Sequence, residues 1–130
     1  MTRLHGENSL QGLRVLIVED ESIVAMWLED LLLDLGCRIV GPAARIEEAL
    51  RLIDAEPIDL AVLDINVAGQ LVFPVADRLR AIDVPYVFAT GYGAMGLIEP
   101  HQDSVVIQKP YTIDALQRSL AHAMSDAITR

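Results

Sequence analysis

Cysteine, tryptophan and lysine each occur once in these 130 residues. With a single thiol, Cys37, no disulfide can form inside the chain, which fits a reducing compartment. Its largely apolar surroundings make it a buried core thiol, not a reactive one. No apolar run approaches the roughly 18 residues that cross a bilayer. The opening MTRLHGENSLQG has no apolar segment of the kind a signal peptide carries. The expectation is a polar N-terminal tail over 1–12, one domain over 13–130 and a cytoplasmic location. Positive charge is scarce too. Lys and Arg number 10 against 19 Asp and Glu, a net charge of −9. That balance argues against nucleic acid, whose binding rests on neutralising phosphates with Lys and Arg, and against anionic membrane surfaces. Every cation but Lys109 is an arginine. A lone lysine hints at a place that needs a compact ammonium instead of a planar fork.

Apolar residues make up 52% of the chain and charged ones 22%, an ordinary globular composition. Five short runs, Leu13–Val18, Arg38–Val40, Ile58–Leu63, Tyr86–Ala89 and Val105–Ile107, are rich in β-branched residues and largely unalternating. Strands covered on both faces read this way. Amphipathic stretches separate them. Ser22–Leu35 places Val24, Leu28, Leu31, Leu32 and Leu35 on one stripe and stops at Gly36. Ile46, Ala49, Leu50 and Ile53 follow helical spacing, as do Val72, Val75, Ala76 and Leu79, with Pro74 tolerable only in a first turn. Thr112 caps a last helix whose dipole Asp114 favours and whose inner face is Leu116, Leu120 and Ala123. Alternation of this length predicts an α/β fold, a doubly wound five-stranded parallel sheet with helices on both faces. Between the fourth and fifth strands, three glycines in Gly91–Gly96 and Pro100 predict a short or mobile helix.

The polar residues that matter fall at strand ends: Glu19 and Asp20 after the first, Asp64 after the third, Thr90 after the fourth and Lys109 after the fifth. In open α/β sheets, ligands bind beyond the carboxyl ends of the strands, where strand order reverses. Three carboxylates brought together repel one another, and one ammonium offsets only part of their charge. An all-oxygen site of this kind suits Mg²⁺. With its charge screened, Asp64 can attack phosphorus to form an aspartyl-phosphate. Lys109 and the Thr90 hydroxyl are then suited to meet the added phosphoryl charge.

The runs Val15–Asp20 (VLIVED), Leu60–Asn66 (LAVLDIN), Thr90 and Lys109-Pro110-Tyr111 resemble the receiver domain of response regulators over about Leu13 to Met124. The stretch Pro74–Gly93, with its Phe-Ala-Thr-Gly, resembles the FAT GUY subclass of single-domain receivers. The resemblance implies the CheY-like (βα)5 fold with strand order 2-1-3-4-5 and Asp64 as phosphoacceptor. It implies a Mg²⁺ site made by Glu19, Asp20, Asp64 and the backbone carbonyl of Asn66, with Asp20 a direct ligand. Thr90 and Lys109 would bind the phosphoryl group, and the Lys109–Pro110 peptide would be cis. It further implies a two-component phosphorelay: a histidine kinase or phosphotransfer protein as donor and an unknown downstream protein as target. No enzyme activity is expected beyond the domain's own phosphorylation and dephosphorylation. A monomer or weak dimer is expected, with the apolar last helix as the dimer face.

Three positions depart from the family pattern. Glu19 stands where Asp is usual, Ala68 where Pro is usual, and Val106 where an aromatic switch residue sits three places before the lysine. The output role is therefore expected to pass to Gly91–Gly96 or Tyr92.

Rival readings are weaker. Gly91-x-Gly93-x-x-Gly96 matches a dinucleotide fingerprint formally, but only Leu97–Asp103 separates it from the next strand, too little for a crossover helix. An aspartyl-phosphate phosphatase would want a second acid two residues beyond the nucleophile, and Asn66 stands there. Within signalling, a phosphate sink or shuttle without its own output is the alternative.

Overall fold

The computed structural model describes residues 10–91 and 104–129, with side chains as far as residue 125. Its elements run β1 (Arg14–Val18), α1 (Ser22–Asp34), β2 (Arg38–Ala43), α2 (Ile46–Ala55), β3 (Leu60–Asp64), β4 (Asn66–Val67), β5 (Gln70–Leu71), α3 (Phe73–Ala81), β6 (Tyr86–Thr90), β7 (Val106–Gln108) and α4 (Ile113–Thr129). The long strands form a five-stranded parallel sheet in the order β2-β1-β3-β6-β7. Counting only those five strands, this is the expected order 2-1-3-4-5.

Alternation along the strands divides the core into two layers. Leu16, Val18, Ala61 and Leu63 face a cluster completed by Ile46, Ala49 and Ile53 of α2 and Val75, Ala76 and Leu79 of α3. Val15, Ile17, Leu60 and Val62 face the other cluster, completed by Leu28, Leu31 and Leu32 of α1 and Leu116 and Leu120 of α4. The strands are apolar at nearly every position because both faces are covered.

Local chemistry sets the boundaries. Gly36, at φ 87, ends α1: its N–H donates to Leu33 O at 2.9 Å and that of Cys37 to Leu32 O at 3.0 Å. This is the two-bond C-terminal motif that glycine permits. Thr112 Oγ1 accepts the Ala115 N–H at 3.2 Å, the N-cap expected for the last helix. Pro74 sits in the first turn of α3, where its missing N–H leaves no bond unmade.

Three features were not anticipated. The second strand continues past Val40 through Gly41 and Pro42 to Ala43, with a register irregularity opposite Leu16–Val18. It lies at the sheet edge, where proline is tolerated. Residues 66–71 form a small hairpin, with Asn66 opposite Leu71 and Val67 opposite Gln70. Its loop, Ala68-Gly69, has φ of 51° and 83°, the left-handed pair that a two-residue hairpin demands. Finally, the packed unit begins earlier than Leu13. Leu10 is buried in the core, and the Gly12 N–H donates to Gly36 O at 2.7 Å, so residues 10–12 belong to the domain. Cys37 is buried against Leu10, its thiol donating to Leu10 O at 3.4 Å and pushed up by burial to about 11. The rest of the tail, the glycine-rich segment beyond Gly91 and Tyr92 lie outside the described residues.

Candidate functional site

Register brings the strand ends level. Val18 pairs with Leu63, so Glu19 and Asp64 each follow at the same height. Asp64 pairs with Ala89 and Thr90 with Gln108, which places Thr90 and Lys109 alongside. Two backbone bonds fasten this edge: Glu19 N–H to Ala43 O at 2.9 Å and Lys109 N–H to Thr90 O at 3.0 Å. The edge straddles the gap between β1 and β3, where the sheet's winding reverses.

Lys109 Nζ lies 3.0 Å from Glu19 Oε1, 3.3 Å from Asp64 Oδ1 and 3.9 Å from Glu21 Oε1. The Glu19 side chain is 1% exposed and that of Asp64 12%. Glu19 Oε2 also accepts the Glu21 N–H at 3.1 Å, so both its oxygens hold protein donors. Asp20 is exposed, and its Oδ2 accepts the Ala68 N–H at 3.0 Å from the tip of the small hairpin. Glu19, Asp20 and Asp64 each offer one oxygen, and the three lie within 4.8 Å of one another. Thr90 is buried at the end of β6. Asn66 is exposed in β4, two residues past Asp64. The Lys109–Pro110 peptide is cis.

Charge at this edge is poorly balanced. Burial first, then the Glu19 charge, raise the Asp64 carboxyl from 3.8 to about 7 against the opposing pull of Lys109. For Lys109 itself, burial pulls down, but the hydrogen bonds and charges of Glu19 and Asp64 together outweigh it and hold the ammonium above its ordinary value. Burial and the same two carboxylates also push Tyr111 upward. Three clustered carboxylates facing one ammonium form a hard, all-oxygen donor set with excess negative charge. Such a set fits a small divalent cation.

The family model of the response regulator receiver domain matches residues 15–121. The chain belongs to that family. The receiver is similar to SdrG from Sphingomonas melonis Fr1, with 38% identity and a TM-score of 0.76 over 90% of this chain and 97% of SdrG. It is also similar to the BeF3-activated conformation of SdrG, at 40% identity and a TM-score of 0.75 over 87% and 98% of the two chains. Among curated proteins it is 29% identical to the transcriptional regulatory protein PdtaR of Mycobacterium tuberculosis over 116 residues, 86% of this chain and 57% of PdtaR. Receivers are components of two-component signal transduction, and PdtaR is a transcriptional regulatory protein.

Against the receiver pattern, the structure gathers Glu19, Asp20, Asp64 and Lys109 into one cluster and puts Thr90 and Asn66 at its border. Val106, lacking the aromatic ring, pairs with Phe88 and packs against the α2–α3 core. Three participants were missed in the sequence. Glu21 reaches toward Lys109, the Ala68 amide holds Asp20, and the Trp27 indole reaches the segment that follows Lys109. The third acid in Glu19-Asp20-Glu21 was a visible signal for the first. Nothing in Val67-Ala68-Gly69 announces an amide donor.

Proposed function

We propose that this receiver accepts a phosphoryl group on Asp64 from a histidine kinase or phosphotransfer protein, with Mg²⁺ at the acidic cluster, and signals by binding a downstream protein. The observation that carries this reading is the convergence of Lys109 on Asp64 and Glu19 within an all-carboxylate cluster. Asp20 and Asp64, with the Asn66 carbonyl, are the proposed ligands, and Glu19 is the nearby third acid. When bound, the dication screens the carboxylates and the incoming phosphoryl oxygens.

An Asp64 carboxylate oxygen attacks phosphorus, the bond to the donor imidazole breaks, and the nitrogen leaves with that bond's electron pair. A carboxyl raised to about 7 is half protonated near neutrality, so the nucleophile depends on nearby positive charge to stay ionised. Lys109 is 3.3 Å from Asp64 and meets the equatorial oxygens, with the Thr90 hydroxyl as a further donor. The match to SdrG over nearly all of both chains supports the receiver reading of this domain. Among the described residues no helix is long and apolar enough to cross a membrane, and we place the protein in the cytoplasm. An exposed apolar stripe on α1, formed by Met26, Trp27 and Leu33, supports partner binding beside the site.

The test is intact-mass measurement after incubation with Mg²⁺ and a small phosphodonor. The parent should gain one phosphoryl mass and Asp64→Asn none. Modification of both, or of neither, overturns the assignment.

A further inference from the structure

One tryptophan joins α1 to the segment between β7 and α4. The Trp27 indole N–H donates to the Tyr111 carbonyl at 3.1 Å, across 84 positions of sequence. Indole nitrogen is a donor with no acceptor capacity, so this bond uses the ring's whole hydrogen-bonding potential. The residue is 48% exposed and stands outside the core cluster that Leu28, Leu31 and Leu32 build on the same helix. Filling the interior is therefore not its main role. It lines instead a groove of about 530 Å³ with Ile23 and Val24 on α1 and with Lys109, Pro110 and Tyr111.

The anchoring of Lys109 makes that contact consequential. On its upstream side, the lysine backbone is fixed by its N–H bond to Thr90 O at 3.0 Å. On the downstream side, Pro110 has no N–H to offer. The next backbone tie among the described residues is the Tyr111 carbonyl held by Trp27, before α4 begins its own bonds with Leu116 N–H to Thr112 O. The ammonium must reach Glu19 and Asp64 at 3.0 and 3.3 Å from a backbone pinned at these two points. We propose that Trp27 is a positioning residue for Lys109: by holding the Tyr111 carbonyl, it fixes the backbone from which the ammonium meets the phosphoryl group. This rests on the phosphoacceptor reading above.

The test uses beryllofluoride as the phosphoryl mimic. Its affinity under saturating Mg²⁺ and the affinity for Mg²⁺ alone are measured in the parent, Trp27→Phe, Ile23→Ala and Asp64→Asn. Trp27→Phe keeps an aromatic ring and loses the donor. A net hydrogen bond corresponds to about a fivefold change, so beryllofluoride should bind about fivefold more weakly. Mg²⁺ affinity should not fall by that factor, because the proposed ligands are carboxylates and Lys109 is not among them. Ile23→Ala, in the same groove without the hydrogen bond, should match the parent in both.

Equal beryllofluoride affinity in Trp27→Phe and the parent overturns the proposal. So does a Mg²⁺ affinity that falls by the same factor, since that marks general support of the site. A parent that takes up no beryllofluoride, or an Asp64→Asn variant that takes it up equally well, overturns the phosphoacceptor reading and this proposal with it. A second measurement needs no variant. The chain has one indole, so its N–H gives one proton resonance, which should be protected from solvent exchange and shift on beryllofluoride binding. Free exchange, or no shift, overturns the proposal.

Discussion

Asp64→Asn should make the protein more stable at neutral to alkaline pH without divalent cations, although it removes the proposed phosphoacceptor. Burial and the Glu19 charge lift this carboxyl from 3.8 to about 7, despite the opposing pull of Lys109. In the unfolded chain the group ionises near 3.8, so between that pH and about 7 the folded state keeps a proton the unfolded chain has released. Stability therefore falls as pH rises through this window and stays low above it. At about 1.36 kcal/mol per tenfold displacement, the ceiling is about 4 kcal/mol. The side chain is 12% exposed. Solvent screening through that opening reduces the expected effect to about 2 kcal/mol. Asparagine carries no charge at any pH, and Lys109 keeps its contact with Glu19 at 3.0 Å, so the substitution leaves no ammonium without a partner.

The assay is denaturant unfolding of both proteins in chelator across pH. The variant should lead by about 2 kcal/mol at about pH 8, and the gap should close toward about pH 4. Equal stability at the alkaline end, or a gap that widens on acidification, would refute the reasoning, because the site would then hold no excess negative charge.

Lys109→Ala leaves Glu19 and Asp64 facing each other without a cation and should lower metal-free stability by about 3 kcal/mol, read from the denaturant midpoint. Mg²⁺ should recover part of that loss. In the parent, a hundredfold excess of Mg²⁺ over its dissociation constant should raise the melting temperature by about 10 °C, reversed by chelator and much reduced in Asp64→Asn. Ala68→Gly should stabilise by about 1 kcal/mol, since alanine at φ 51 carries the left-handed penalty. Ala68→Pro, although proline is usual there in the family, should destabilise by about 3 kcal/mol in thermal or chemical unfolding. It cannot adopt that φ, and it removes the N–H that Asp20 Oδ2 accepts.

The sheet and the strand-end cluster were legible because both depend on residue type at fixed spacing. Val15, Leu16, Ile17 and Val18 form a short, largely β-branched run that reads as a strand covered on both faces, and once such strands are parallel, whatever follows each one meets at a single edge. Glu19, Asp64 and Lys109 could thus be brought together before any contact was known. The hairpin at Asn66–Leu71 was not legible, since two-residue strands show no period and Ala68-Gly69 lacks the Asn or Asp that usually leads such a turn. The bond from Trp27 to Tyr111 was hidden for a different reason. It ends on a backbone carbonyl, which every residue has, so no side-chain pattern at position 111 could report it. Leu10 was lost to its neighbours: one apolar residue in a polar opening reads as tail until a partner such as Cys37 is placed beside it.

Glu19 shows what one extra methylene does to the cluster. Its carboxylate is buried, yet neither oxygen lacks a donor, because Oε1 reaches Lys109 and Oε2 turns back to the amide of Glu21 at the start of α1. A buried carboxylate with both oxygens tied to protein donors is less free to turn toward a cation than one at the surface. Asp20 stands in the opposite condition: exposed, and held at Oδ2 by the hairpin tip. The acidic pair is therefore two different groups. The inner acid holds the lysine and helps keep the Asp64 carboxyl high, while the outer acid faces solvent. The longer side chain ties the inner acid to two protein donors, which is why the proposed metal ligands are Asp20 and Asp64.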